Sequence, residues 1–483
     1  MPQPLLATYK NVALYASLAL SLSLLLSFLR LPVLLLRGLF TYIQPENLGG
    51  GGGGGASPSP SGLRAAIRRP GSDPAPSAGG LNGFQTLSSS TSAELRKRGR
   101  SKEKFEFDEN NAQIFRLKLD EAHLESRIYF REYGGVFALS LVGASCAALN
   151  LYLGGGAGGG GDGVLADGSL IPVLFGFVAV SKWFLALAKV SFERSASRRS
   201  EKQLSLCFGV LGFIAGLLIC SSLARSSLDF DLGAVDGFCA ILIAGSMGCL
   251  AGYLYMPAAK SARAFWLGTD QIRSNLSIIS CGWFARMVLF ATYLLSIFTA
   301  LLWINPLSKM LINERLGDGK VGSLSGDGGD ADRLLGNVGM SRSDFTKFRL
   351  WCLLISSVLQ IAAFRSVFQM YLNEAVLSWY QRLHSSRVPD LDFSRAKVFL
   401  HNHYLCLTIL QFLAPPSLAL LFLGLSQIEG NPFGKLNLQC GQLPCSAVLK
   451  QVALLMAWWV VFVWTVFTSV TLVLYRRGFL YVS

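Results

Sequence analysis

Charge is scarce in this sequence. Only 15% of its 483 residues are Asp, Glu, Lys or Arg, against about 25% in an average soluble domain. Histidine is scarcer, with four in the chain. No CxxC pair or Cys/His array at zinc spacing occurs, so the usual zinc and redox readings are excluded. His401 and His403 point to different sides of a helix, and with His384 they find no acidic or Cys partner at ligand spacing. Gly317-Asp318-Gly319-Lys320 looks like part of a phosphate loop, but Val321 stands where a Ser or Thr is needed. The same Gly/Asp-rich loop lacks the EF-hand ligand order. No catalytic, metal or cofactor constellation remains, so the chain is expected not to be an enzyme and to carry no cofactor.

The formal net charge is +14. In a soluble protein this would suggest a nucleic-acid partner. Here no basic face is interleaved with aromatics, and Lys and Arg sit mainly between hydrophobic runs, where they orient a chain against a membrane. The expected partners are membrane lipid and other membrane proteins, and no nucleic acid.

What is abundant is apolar sequence: 52% of residues are hydrophobic, and the mean hydropathy is +0.44. These residues gather in runs of about 20, the length that crosses a bilayer as a helix. They do not alternate at a period of two, which argues against a barrel. Runs at Asn11–Leu29, Gly134–Leu153, Ile171–Val190, Gln203–Ala224, Gly237–Met256, Trp283–Trp303, Phe348–Met370, Tyr404–Ile428 and Val452–Tyr475 predict an all-α polytopic bundle of about nine spans. Tyr404–Ile428 contains Pro415 and Pro416 and reads as one kinked helix, since neighbouring helices satisfy the freed carbonyls. The first run competes with a cleaved signal peptide; it lacks a small-residue cleavage site, which favours a retained helix.

The chain divides into six stretches. Residues 1–44 form an N-terminal hydrophobic span, and 45–111 a disordered Gly/Ser/Pro-rich basic loop. Residues 112–133 read as an amphipathic surface helix, from Ile114, Leu117, Leu124 and Ile128 at helical spacing. Residues 134–304 are the first part of the membrane bundle, 305–347 a Gly/Asp-rich loop, and 348–483 the second part. Basic loops after Val190 and Met256, before Tyr404 and in the tail alternate with basic-poor loops. That pattern places the N-terminus outside and the C-terminus inside, in a plasma membrane or an endomembrane.

Of ten cysteines, eight lie in or beside apolar runs as small packing residues. Cys440 and Cys445 share a polar outer loop, which makes them a disulfide candidate.

Ionisable and amide side chains inside spans are functional candidates by default. Lys182 sits mid-span, with Lys189 seven residues on along the same face. Arg365, Gln369 and Asn373 form a polar stripe at i, i+4 and i+8, with Glu374 just beyond the span and Gln360 deeper within it. Two readings stand for each group: hydrogen bonding that holds helices together, or the wall of a polar path. No span contains an interior Asp or Glu, so a path would suit an anion or a lipid headgroup rather than a metal ion. Gly212 and Gly216, and Gly248 and Gly252, are four apart and suit close helix approach.

Several stretches taken together resemble the transmembrane protein 161 family. Phe348–Val376 carries Arg349, Leu350, Trp351, Arg365, Tyr371, Leu372 and Asn373 at the matching positions. Trp303, Pro306 and Lys309 fit within Leu301–Ile312, and Gln411, Ala414 and Pro415 within Leu410–Leu421. Tyr129, Phe130, Glu132 and Tyr133 fit within Ile128–Leu139, and Lys182 falls on a family lysine. Gln411 thereby joins the intramembrane polar candidates. The glycine tracts and Ser/Pro-rich stretch depart from animal members, as in a distant, plant-type relative. The resemblance implies a polytopic membrane protein with no established reaction, loosely linked to stress responses and membrane excitability. The expected function is a non-enzymatic regulator or scaffold of other membrane proteins. The alternative is a transporter or channel with a cationic path through Lys182 and Arg365.

Overall fold

In lipid a backbone amide finds no water, so each long apolar run must satisfy its own backbone groups as a helix. The computed structural model describes residues 10–43, 64–67, 114–154, 170–193, 199–221, 227–230, 237–269, 282–311, 340–383, 392–428, 439–440 and 443–480. Among them, nine helices are long and apolar enough to cross a membrane.

The chain begins with α1 (Lys10–Leu29) and the short α2 (Leu31–Leu36). Strand β1 (Phe40–Ile43) follows, with β2 (Arg64–Ile67), β3 (Ile114–Lys118) and the single-turn α3 (Glu121–Glu125). Then come α4 (Phe130–Gly154), α5 (Leu170–Phe192), α6 (Arg199–Cys220), α7 (Gly237–Thr269), α8 (Trp283–Leu301) and α9 (Asn305–Leu311). Helices α10 (Arg342–Leu383), α11 (Asp392–His403) and α12 (Leu405–Ser426) precede the hairpin β4 (Gln439–Cys440) and β5 (Leu443–Pro444), which leads into α13 (Cys445–Arg476).

Helix α12 is the axis of the bundle. Its apolar window is 89% buried, against 11% for α1 and 17% for α6. It packs against α4, α5, α7, α10 and α13. Pro415 and Pro416 lie inside it and are both buried, within one helix. At the periphery α1 leans on α4, where Tyr15 donates to Asn150 Oδ1 at 2.8 Å.

The glycine pairs bring α6 and α7 into close contact. A Cβ added at Gly248 would meet the Gly209 carbonyl oxygen at 2.8 Å, and one at Gly216 would meet Ala244 Cα at 2.8 Å. Only residues without a side chain permit that approach.

The structure corrects three boundaries. The segment expected to be an amphipathic surface helix over 112–133 is instead strand β3, one turn of helix, and the start of α4. Ile114 and Leu117 are buried, but β3 lies antiparallel to β1, with Thr41 opposite Leu117 and Ile43 opposite Phe115. Pairing with a distant strand satisfies the backbone that a local helix would otherwise have satisfied. The β1 end of residues 1–44 thus belongs to a small sheet of order β1-β3-β2. The Gly/Asp-rich stretch 305–347 opens as helix α9 and closes inside α10, and Asn305-Pro306 suits a helix start. Apart from β2, the 45–111 loop lies outside the described residues.

Gly38 makes the turn from α2 into β1 with φ of 88°, a backbone conformation that only glycine adopts without cost. Arg30, at φ 47°, separates α1 from α2, and its guanidinium pairs with Glu121 and Glu125.

Candidate functional site

Helix α10 has 42 residues, about 63 Å at 1.5 Å per residue. A bilayer core is about 30 Å thick. The helix therefore continues well past Met370, where the apolar run ends, and Glu374 lies within it rather than in a following loop. Glu374 is only 1% exposed. Helix α7 likewise continues past Met256. That extension carries Lys260 and Arg263, one turn apart on one face.

These extensions meet. Arg263 Nε donates to Glu374 Oε2 at 3.0 Å. Lys397 of α11 places Nζ 3.1 Å from Glu374 Oε1. Lys260 Nζ donates to Gln411 Oε1 of α12 at 2.8 Å. One buried carboxylate thus ties together α7, α10 and α11, and a lysine one turn away adds α12. A carboxylate out of water is tolerated only when paired and hydrogen-bonded. Tyr371, one turn before Glu374, is buried, and its ring stacks on His401 at 4.7 Å and 14°. His401 has its pKa pushed down to about 3, first by burial and then by the positive charges of Lys397, Arg263 and Lys260, against the opposing pull of Glu374. It is neutral at physiological pH.

The polar stripe on α10 holds strand β1. Gln369 Oε1 accepts from the Phe40 N–H at 2.8 Å, and Gln369 Nε2 donates to the Phe40 carbonyl at 3.1 Å. Tyr42 donates to Asn373 Oδ1 at 2.9 Å, and Arg365 Nη2 donates to the Arg37 carbonyl at 2.9 Å. From α11, Asn402 Nδ2 donates to the Tyr42 carbonyl at 2.5 Å, and Thr41 donates to Asn402 Oδ1. Burial raises the Tyr42 phenol to about 12. The edge of β1 that β3 leaves free is therefore occupied by amide side chains.

Gln360 lies elsewhere. Its Nε2 donates to Ser296 Oγ at 3.2 Å, and Ser296 in turn contacts Ser356 at 3.2 Å. Gln360 and Ser296, together with Ser261 and Tyr293, line a cavity of about 40 Å³, enough for ordered water.

Lys182 is exposed on the outer face of α5. It lines a groove of about 860 Å³ between α4 and α5. Arg365 is exposed beside the α2–β1 turn. The two cations offered by the sequence as one path therefore lie on separate surfaces.

Arg349 marks the other end of α10, about 37 Å from Glu374 by helical rise. Its guanidinium bonds Asp229 at 2.8 Å and lies over the Trp303 ring at 4.2 Å. Trp303 stacks on Phe230 at 4.7 Å and 8°.

The side chains of Cys440 and Cys445 lie outside the described residues. The backbone pairs Cys440 with Leu443, and α13 begins at Cys445.

Glu374 was visible beside the polar stripe, but the cations Arg263, Lys260 and Lys397 escaped the sequence reading, which treated them as loop residues marking the inner face. One available signal was the small and apolar pattern of Ala258, Ala262 and Phe265. It continues the helical period past Met256 and encloses Lys260 and Arg263.

The family model described as "Predicted transmembrane protein 161AB" matches residues 219–431. That stretch contains Lys260, Arg263, Glu374, Lys397, His401 and Gln411. No solved structure matches the chain.

Proposed function

We propose, from the premise that this chain belongs to the transmembrane protein 161 family of multi-pass membrane proteins, that it works without catalysis, as a regulator or scaffold of other membrane proteins. The observation that carries this reading is the closure of the charge cluster. Arg263 and Lys397 both engage Glu374, and Lys260 engages Gln411. Side chains committed to one another across four helices hold a shape; they are not presented to a passing solute. Lys182 and Arg365 face outward on separate surfaces, which weighs against a path through both. Exposed apolar side chains such as Leu20, Leu24 and Phe28 on α1, or Leu206 and Leu211 on α6, offer faces for lipid or partner helices. We place the cluster at the inner face of a plasma membrane or endomembrane, because the basic loops gather at that end.

A second reading, a conduit for an anion or a lipid headgroup, has one observation in its favour: the polar cavity lined by Ser261, Tyr293, Ser296 and Gln360. At about 40 Å³ it suits water rather than a hydrated anion.

Reconstitution into liposomes separates the two. Chloride, phosphate and fluorescent phospholipid fluxes are expected to equal those of protein-free vesicles. Flux well above that background, lost in Gln360→Ala or Arg365→Ala, overturns the scaffold reading.

A further inference from the structure

The groove between α4 and α5 is built unlike the rest of the outer surface. Its floor is apolar, with Val136, Leu139, Leu185 and Ala186. Its rim carries Tyr129, Arg131, Glu132, Lys189 and Glu193, and Lys182 lies deeper along the same wall. By helical rise Lys182 is about 15 Å from the Phe192 end of α5 and about 10 Å from Lys189. It is thus close to the middle of a span.

The acids of the groove are engaged. Lys189 Nζ donates to Glu132 Oε1 at 2.5 Å, and Tyr129 donates to Glu193 Oε2 at 2.9 Å. Lys182 and Arg131, both exposed, have no hydrogen-bond or ion-pair partner among the described residues. Three cations against two carboxylates leave one positive charge unmatched in the lining. An ammonium at mid-span is costly unless an anion or water reaches it.

We propose that this groove binds one anionic phospholipid. The phosphodiester lies between Lys182 and the rim cations, and an acyl chain runs along Val136, Leu139 and Leu185. A phosphodiester carries the single negative charge that the lining lacks. The apolar floor fits a chain, which a free phosphate does not possess. Exposed Leu185 and Phe192 keep the groove open towards the hydrocarbon, so a lipid enters laterally from the bilayer. Basic pockets between spanning helices select anionic headgroups by the same physics. The site is separate from the charge cluster and does not depend on the scaffold reading.

The test uses the full chain purified in mild detergent. Native mass spectrometry counts bound lipid on titration with phosphatidylglycerol, phosphatidylcholine or inorganic phosphate. Thermal unfolding of each sample confirms that the protein is folded. One phosphatidylglycerol is expected to bind in clear preference to phosphatidylcholine. Lys182→Met removes a charge from mid-span, so it is expected to insert and fold, and to weaken that binding about fivefold or more. Ala188→Trp leaves every charge in place and fills the groove; it is expected to lose the lipid as well. Wild-type affinity in either folded variant, or equal binding of the two lipids, overturns the proposal. Stabilisation by inorganic phosphate equal to that by phosphatidylglycerol assigns the site to a free anion and overturns it too.

Discussion

Arg263 and Glu374 face each other at 3.0 Å across the contact between α7 and α10, each carried there by a helix that continues beyond its apolar run. Removing one member of such a pair leaves the other's charge stranded, at a typical cost of about 3–5 kcal/mol. Glu374→Ala is therefore expected to be strongly destabilising in detergent-solubilised protein, with two cations left facing an empty site. The double variant Arg263→Ala, Glu374→Ala is expected to cost less than the two single changes added together. Strict additivity in a double-mutant cycle would show that the pair is not coupled.

Acid sensitivity follows from His401. Its folded pKa, near 3, lies below the ordinary value of 6.5. Between those two values the unfolded chain binds a proton that the folded chain refuses. Stability is thus fully present above about pH 6.5 and falls as pH drops towards 3, with a slope approaching about 1.4 kcal/mol per pH unit from this one group. His401→Phe keeps a ring against Tyr371 and removes the titration. Chemical unfolding at several pH values is expected to give a shallower acid slope in the variant, and an identical slope would refute the assignment.

Close approach of α6 and α7 makes a sharp steric prediction. A methyl at Gly248 meets backbone of the opposite helix at 2.8 Å, whereas one at Gly245 meets nothing within 4 Å. Gly248→Ala is expected to lower stability by about 1–3 kcal/mol through overpacking. Gly245→Ala, on the same helix, is expected to be neutral or slightly stabilising because alanine favours the helix. Similar thermal midpoints for the two variants would mean that the helices do not touch there.

Gln369 supplies both a donor and an acceptor to the Phe40 peptide group. Gln369→Leu leaves that group without its side-chain partner, at a cost of about 1–3 kcal/mol. Hydrogen exchange at the Phe40 amide is expected to accelerate in the variant, while amides in α12 stay protected. Unchanged exchange at Phe40 would show that β3 alone secures the strand.

The spans were legible because the energetic demand that creates them is local: about 20 apolar residues in a row read as a helix in any context. The paired glycines were legible for a similar reason, since Gly212, Gly216, Gly248 and Gly252 each carry their meaning in spacing. The polar stripe on α10 was visible as a stripe, but its role was not. Gln369 and Asn373 could be placed on one face from period alone, while their partners Phe40 and Tyr42 lie more than 300 residues away. Strand β3 was misread because Ile114 and Leu117 fit a helical period, and the backbone partner that decides otherwise is not local: Thr41 and Leu117 pair across 76 residues. The ion cluster was missed for a different reason. Lys260, Arg263 and Lys397 look like the cations that border any span, and only the reach of α7, α10 and α11 beyond the bilayer core turns them inward onto Glu374.

The sheet has a practical consequence. Ile43 and Phe115 are cross-strand neighbours, so the chain between them is an excursion closed at that pair, with β2 returning within it to the far edge of β3. Closing such an excursion becomes harder by only about 0.6 kcal/mol for each doubling of its length. The β1–β3 pairing therefore survives a long intervening sequence at little entropic cost, and lengthening that sequence is expected to leave the stability of the bundle almost unchanged.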